Sequence, residues 1–335
     1  MVSVVFIGCG RIAKNHLAAI DEIPDAKVVA VCDTDLARAE EVAARYDGCR
    51  PFTDAGEMLD TVKPDAAVIC VPTFLHEQFV TLCAVRHVAV LCEKPLERRV
   101  EACERLIAAV KENDIVFQTA QVVRFWPGYV EIKEMLDRGE LGDIYMMRFR
   151  RVTSRDDAIA KWLNMPRLGG GAIHDMLVHD VDFLRYIAGP FESGYANATK
   201  DESGCYNNVM ANIVCKNGVH AMAEASFTMQ TGYPFSFSVS IIGSKATLEY
   251  DNRAGIRIGD EGETESVMRI WREGEGLTEI VPKQEDAFLR QMRSFLTCVK
   301  EGKKPTVITP DETMEVIRMI DALHESAHSG KVEHL

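Results

Sequence analysis

The sequence predicts two architectures in series: an α/β N-terminal half built on a parallel sheet, then an α+β half built on a large, mostly antiparallel open sheet. Three observations predict this. Short β-branched runs alternate with helical periods through residue 120, glycines punctuate the first strand-to-helix turn, and consecutive strand-like runs follow residue 144. A length of 335 residues exceeds one ordinary domain, so a division into 1–120 and 121–335 is expected.

The elements follow in order. Residues 2–7, VSVVFI, are a β-branched run followed by GCGRIA and a helical period through Ile20. KVVAVCD (27–33) precedes the helical LARAEEVAARY, and a weaker unit near 50–60 precedes AAVICVP (66–72). A helix-like 76–87, the strand-like AVLCEKP (89–95), a helix over 98–112 and IVFQTA (115–120) complete the alternation. Strands alternating with helices of roughly 10–15 residues need right-handed crossovers, hence a parallel sheet covered on both faces. The second half opens with a helix-like 129–138, then IYMMRFRRV, NNVMANIVCKNGVHAMAEASF and FSFSVSIIGSKATLEY. Asn217-Gly218 between two strand-like runs is a hairpin signal. Amphipathic helices near 284–300 and 311–328 close the chain.

Composition excludes some partners. A formal net charge of -13 argues against a nucleic-acid or anionic membrane surface, which would repel it. No apolar run approaches the ~20 residues of a membrane span. The N-terminus, MVSVVFIGCGRIAK, lacks a basic region and a small-residue cleavage site, so no signal peptide and a cytoplasmic location are expected. None of the ten cysteines forms a C-x-x-C pair, and Cys9, Cys32, Cys70 and Cys92 lie in or beside apolar runs. Buried, reduced thiols are expected rather than disulfides or zinc.

Three places carry chemistry. Gly8-x-Gly10-x-x-Ala13 follows the first strand; Gly8 permits a tight turn, Gly10 lets the backbone approach a pyrophosphate, and Ala13 lets helix and strand pack closely. Asp33, ending the second strand, stands where a carboxylate accepts from the adenosine ribose and repels a 2′-phosphate, which favours NAD over NADP. Alternatively Asp33 starts a turn or caps the helix that follows it, and nearby Arg38 keeps NADP open. Lys94 follows the strand AVLC at its C-terminal end, where parallel sheets place ligands, and its ammonium can stabilise alkoxide character. GGGAIHDMLVHDVDFLRY (169–186) sets Asp175 and His179 one turn apart, so that on one helix they share a face. A carboxylate beside an imidazole makes a base for an alcohol proton, or only a structural ion pair. His174 reads as a substrate contact or a structural residue, and Trp162 as a sugar-stacking ring or packing. A metal cluster of His174, Asp175, His179 and Asp182 is disfavoured, since no partner ligand motif appears elsewhere.

VVFIGCGRIAKNH, ICVPTFLHEQF, VLCEKPL and GGGAIHDMLVHDVDFLRY together resemble the Gfo/Idh/MocA family of sugar and cyclitol oxidoreductases, in the family's order and over nearly the whole chain. The resemblance implies an NAD-binding Rossmann domain at 1–120 and a substrate-binding and oligomerisation domain at 121–335, paired through its sheet as a homodimer or homotetramer. It implies Lys94, Asp175 and His179 as the catalytic group, with no metal. Arg11, Ile12 and Glu93 join Gly8, Gly10, Asp33, Arg38 and Lys94 at the cofactor, and Pro72, Thr73 and His76 lie near its nicotinamide half. Gln121, Arg124 and Trp126 fall in the family's substrate segment, although QVVRFWP departs from the common Asn-x-Arg-Phe. The function implied is NAD(H)-dependent hydride transfer at a secondary alcohol of a polyol or sugar, resembling the family's inositol 2-dehydrogenases. Its alternatives are a glycosidase or elimination variant and a non-catalytic nicotinamide-binding sensor. The Lys, Asp and His favour an enzyme, since a binding module needs no proton relay.

Overall fold

The first β-branched run becomes β1 (Val2–Ile7), and the alternation continues as α1 (Arg11–Asp21), β2 (Ala26–Cys32), α2 (Leu36–Ala43), β3 (Arg50–Phe52), α3 (Ala55–Val62), β4 (Ala66–Ile69), α4 (His76–Ala84), β5 (Ala89–Cys92), α5 (Val100–Glu112) and β6 (Phe117–Thr119). Then come α6 (Pro127–Asp137), β7 (Ile144–Ser154), α7 (Ala172–Asp175), α8 (Leu177–Ala188), β8 (Phe191–Lys200), β9 (Tyr206–Cys215), β10 (His220–Met229), β11 (Ser236–Gly243), β12 (Ala246–Ala254), β13 (Thr264–Arg272), β14 (Gly276–Ile280), α9 (Ala287–Glu301), α10 (Pro310–Ser329) and β15 (Glu333–His334). The computed structural model describes residues 1–154, 161–254, 264–283 and 285–335; Gln284, within the expected helix 284–300, lies outside them. Two units emerge, Met1–Phe125 with Asp286–Met314, and Trp126–Glu285 with Glu315–Leu335.

In the first unit six parallel strands lie in the order β3-β2-β1-β4-β5-β6. The chain winds outward from β1 in both directions, so β1 and β4 flank the point where strand order reverses, the usual ligand crevice of such sheets. Aspartates start the helices: Asp35 caps α2, Asp54 caps α3 and Asp286 caps α9, each accepting from first-turn N–H groups. The core explains the grouping of α9. Its Met292, Phe295 and Leu296 are buried in one cluster with Phe6 of β1, Leu17 of α1, Val28 of β2 and Leu91 of β5. The first unit is therefore made of two stretches of chain.

The second unit holds nine strands in the order β14-β13-β12-β11-β7-β10-β9-β8-β15. Neighbours are antiparallel except β7 and β10, which run parallel. The Asn217-Gly218 hairpin joins β9 to β10; Gly218 has φ +85° and Asn217 Oδ1 accepts from Val219 N at 3.2 Å. Side chains alternate as a half-covered sheet requires. Phe149, Val239, Leu248 and Ile270 are buried, while Met210, Met222 and Trp271 on intervening positions are exposed. The sequence reading assigned no strand to β8, β13 or β14. The single helical pattern expected within 169–186 is in the structure two helices, α7 and α8, separated at Met176.

Candidate functional site

The parallel sheet gathers most cofactor candidates at one edge. Gly8–Gly10 follow β1, Asp33 follows β2, Pro72 and Thr73 follow β4, and Glu93 and Lys94 follow β5, so all stand at the C-terminal ends of neighbouring parallel strands. Gly8 has φ +93°, and a Cβ there would lie 2.6 Å from the Cys70 carbonyl oxygen beyond β4. Only glycine fits that approach. Gly10 starts α1, and a Cβ there would meet nothing within 4 Å. No side chain caps α1 and no acidic residue stands in its first turn. Its leading N–H groups therefore offer the positive end of an 11-residue helix to an anion. Ala13 is fully buried against the sheet, Arg11 is exposed and Ile12 half-buried.

Asp33 is buried, with Oδ2 accepting from Cys9 N at 2.8 Å and Oδ1 from Asp35 N at 3.0 Å. It thus ties the fingerprint turn to the end of β2. Of the two alternatives for Asp33, the cap belongs to Asp35, while the Asp35 N–H donating to Asp33 Oδ1 makes the turn. The exposed Arg38 reaches back to both Asp33 oxygens at 3.3 Å. An open glycine, an uncapped helix start and a carboxylate one strand away fit a dinucleotide. Arg38 sets a positive group at the same carboxylate.

The Lys94 loop is held by buried partners. Glu93 Oε2 accepts from Lys94 N at 3.0 Å, and Glu93 Oε1 lies 2.7 Å from His16 Nε2 of α1. Burial pushes the Glu93 carboxyl up, but the His16 hydrogen bond and charge, with Lys94, bring it below the ordinary value. The Lys94–Pro95 peptide is cis. His76 is wholly buried, its Nδ1 3.1 Å from the carbonyl oxygens of Pro95 and Leu96 and its Nε2 3.0 Å from that of Val71. This ring is committed to backbone. Thr73 is buried at the start of a 3-10 turn that Pro72 precedes. His16 was absent from the sequence-derived site.

The 121–126 segment is held by contacts within the protein. The Arg124 guanidinium is buried, donating to the Val307 carbonyl and, at 3.1 Å, to Glu312. It ties its segment to the start of α10 within the first unit. Gln121 is buried there too, its side-chain amide without a hydrogen-bond partner among the described residues. Trp126 belongs to the second unit, its ring 4.9 Å from Phe237 and 5.9 Å from Tyr129. Burial and aromatic packing account for Arg124 and Trp126 without a ligand.

In the second unit, the glycine run serves packing. A Cβ on Gly169 would sit 2.3 Å from Leu163 Cα, and one on Gly171 (φ +82°) 2.5 Å from Asn207 Oδ1. Asn207 also accepts from Ala172 N at 2.8 Å and so caps α7. Gly169 and Gly171 thus fit against neighbouring chain. Asp175 ends α7, half-buried, and His179 lies buried in the first turn of α8, its N–H donating to Met176 O at 3.3 Å. The break at Met176 removes the one-helix argument for a shared face. His174 is buried, its Nδ1 3.4 Å from Gly170 O and its ring 5.3 Å from that of His324, the structural alternative. Trp162 is half-buried in a 3-10 turn. Among the described residues no group of His, Cys, Asp and Glu is arranged to hold a metal, and no helix is long and apolar enough to cross a membrane.

A buried ion pair that the sequence reading missed also lies here. Arg151 of β7 donates to both Asp180 oxygens, at 2.8 and 3.1 Å, and to Tyr129 OH at 2.9 Å. Its guanidinium lies 5.2 Å from the Phe237 ring centroid and 5.6 Å from that of Trp126. Burial raises the Asp180 carboxyl although Arg151 opposes it.

The profile of the Gfo/Idh/MocA oxidoreductase family, NAD-binding Rossmann fold, matches residues 2–121, and that of the family's C-terminal alpha/beta domain matches 133–334. The chain is a Gfo/Idh/MocA oxidoreductase. Its nucleotide is NAD(P). A myo-inositol 2-dehydrogenase of Thermotoga maritima is 28% identical to this oxidoreductase over 319 residues, covering 93% of this chain and 92% of the relative. Two solved structures share its fold. A Bordetella pertussis dehydrogenase in complex with NADH and UDP-GlcNAcA has a TM-score of 0.83 at 24% identity, covering 100% of this chain and 98% of the other. A 3-ketoreductase from Actinomadura kijaniata in complex with NADP and TDP-benzene has 0.84 at 21%, covering 97% of each. Lys94 of this oxidoreductase belongs to the first unit and Asp175 and His179 to the second.

Proposed function

We propose that this oxidoreductase oxidises, reversibly, a secondary alcohol of a cyclitol, sugar or sugar derivative with NAD, NADP being the lesser cofactor. The observation that carries the reading is Lys94, presented at the C-terminal end of β5 on the sheet edge that also bears the Gly8–Gly10 fingerprint and Asp33. The inositol 2-dehydrogenase relative favours a polyol. The nicotinamide, when bound, supplies the hydride acceptor or donor. In this reading Gly8, Gly10, Arg11 and Ile12 hold the pyrophosphate at the start of α1, and Asp33 accepts from the adenosine ribose. Lys94 binds the reacting oxygen and stabilises its developing charge. His179 takes the hydroxyl proton, and Asp175 orients the ring and stabilises its protonated form. The exposed apolar residues Met210, Met222 and Trp271 on the open sheet face support a homodimer or homotetramer.

Nicotinamide absorbance tests the proposal, with NAD and NADP each offered inositols, aldoses, sugar acids and nucleotide sugars. Wild type is expected to turn over at least one polyol with NAD, and Lys94→Ala and His179→Ala to lose about 10²–10⁴-fold in kcat. Variants that keep wild-type turnover would remove these residues from the chemistry. NADH binding with no turnover on any alcohol or glycoside would favour the sensor.

A further inference from the structure

The Lys94 loop has two buried imidazoles against it, and neither is explained by packing alone. His16 is fully buried on α1, beside Phe288 at 5.2 Å between ring centroids. Its Nδ1 has no hydrogen-bond partner among the described residues, so its one polar tie is Nε2 to Glu93 Oε1 at 2.7 Å. An apolar side chain would fill that site without exposing a polar atom to the core. The other Glu93 oxygen receives the Lys94 N–H, so the contact runs from α1 through one carboxylate to the Lys94 backbone. From α4, His76 meets the carbonyls of Pro95 and Leu96 with one nitrogen and that of Val71 with the other. Lys94 is thus bracketed: His16 acts on the residue before it, His76 on the two residues after it.

We infer that His16 and His76 are positioning residues for Lys94, clamping its loop to the helices that follow β1 and β4. The inference rests on Lys94 having the role proposed above. α1 is also the helix whose start forms the fingerprint, so one rigid element aligns the pyrophosphate site and, through His16 and Glu93, the lysine. An ionised Glu93 suits this link, and the lowered carboxyl agrees with it.

The test uses the full chain with His16→Leu, His16→Gln and His76→Leu. Lysines are dimethylated with ¹³C-formaldehyde, which keeps their charge, and the Lys94 NMR signal is the one missing from Lys94→Arg. For His16→Leu and His76→Leu, kcat is expected to fall about 10²-fold, the cost of a misplaced reacting group. NADH affinity, read by fluorescence, should stay within about 3-fold while the Lys94 signal moves. His16→Gln keeps an N–H donor near the Nε2 position and is expected to restore both kcat and the signal. Folded His16→Leu with wild-type kcat and an unmoved Lys94 signal would overturn the clamp. Should His16→Leu not fold, a His16→Gln protein whose signal differs from wild type as much as that of Glu93→Gln would overturn it instead. If wild type oxidises no polyol, the proposed function fails, and the Lys94 signal still decides the clamp.

Discussion

Arg38 lies 3.3 Å from the Asp33 carboxylate, so the proposed ribose role of Asp33 assigns Arg38 a part in cofactor choice. Replacing it with Ala is expected to raise the KM for NADP about 10-fold, through loss of a charge-assisted phosphate contact, and to leave that for NAD within about 3-fold. Parallel initial-rate series with the two cofactors check this. At the buried pair, Asp180→Asn leaves the Arg151 guanidinium enclosed without its anion, at a cost of about 3–5 kcal/mol in urea unfolding. The apolar double replacement Arg151→Met with Asp180→Leu should recover most of it. Several residues were legible only by their anomaly. His16 shares a helical stripe with Ala13, Leu17 and Ile20, and Arg151 stands on the inward parity of β7 with Met147 and Phe149; a polar residue on an apolar face is the signal in both cases. Arg124 carried no such mark. Its partners, Val307 and Glu312, lie more than 180 residues away along the chain, a distance no local pattern reports.

Among the elements, the two kinds of glycine separate stability from binding. Gly171→Ala forces a Cβ onto Asn207 Oδ1 at a backbone angle of φ +82°, with an expected loss of about 2–4 kcal/mol in urea unfolding. Gly10→Ala has an ordinary φ of -74° and open space. Its stability should change by no more than about 0.5 kcal/mol, while NADH affinity falls about 10-fold by fluorescence titration. The parallel half was readable because β-branched runs and helical periods alternate at regular spacing, and β1 matches its expected range of 2–7. The strand β8, FESGYANATK, was not readable. Its Gly194 weakens the strand pattern, yet a Cβ there would sit 2.8 Å from Met319 Sδ and 2.9 Å from Leu323 Cδ2 of α10. The break between α7 and α8 was hidden for the opposite reason: IHDMLVHDV keeps an unbroken helical composition through Met176.

For the whole molecule, pH stability follows from the buried clamp. Burial lowers the His76 pKa, outweighing the carbonyls that favour its protonated form. The unfolded chain therefore binds a proton that the folded one refuses. This contribution is complete above the unfolded histidine value near 6.5 and is lost as pH falls toward the depressed folded value. Urea midpoints measured downward from pH 7.5 should fall below about pH 6.5, with a slope from this group of at most about 1.4 kcal/mol per pH unit. The His76→Leu protein should lack that component, and an identical slope in both proteins would refute it. The two-part first unit bears on synthesis as well. Its sheet is complete by Phe125, but the stretch carrying the helix that closes its core begins 161 residues later, at Asp286. At ~5–20 residues per second the ribosome takes roughly 8–30 s to supply it. Through that interval the nascent chain carries an unsealed apolar surface around Phe6, Leu17 and Val28, the stage at which a chaperone would find a handle.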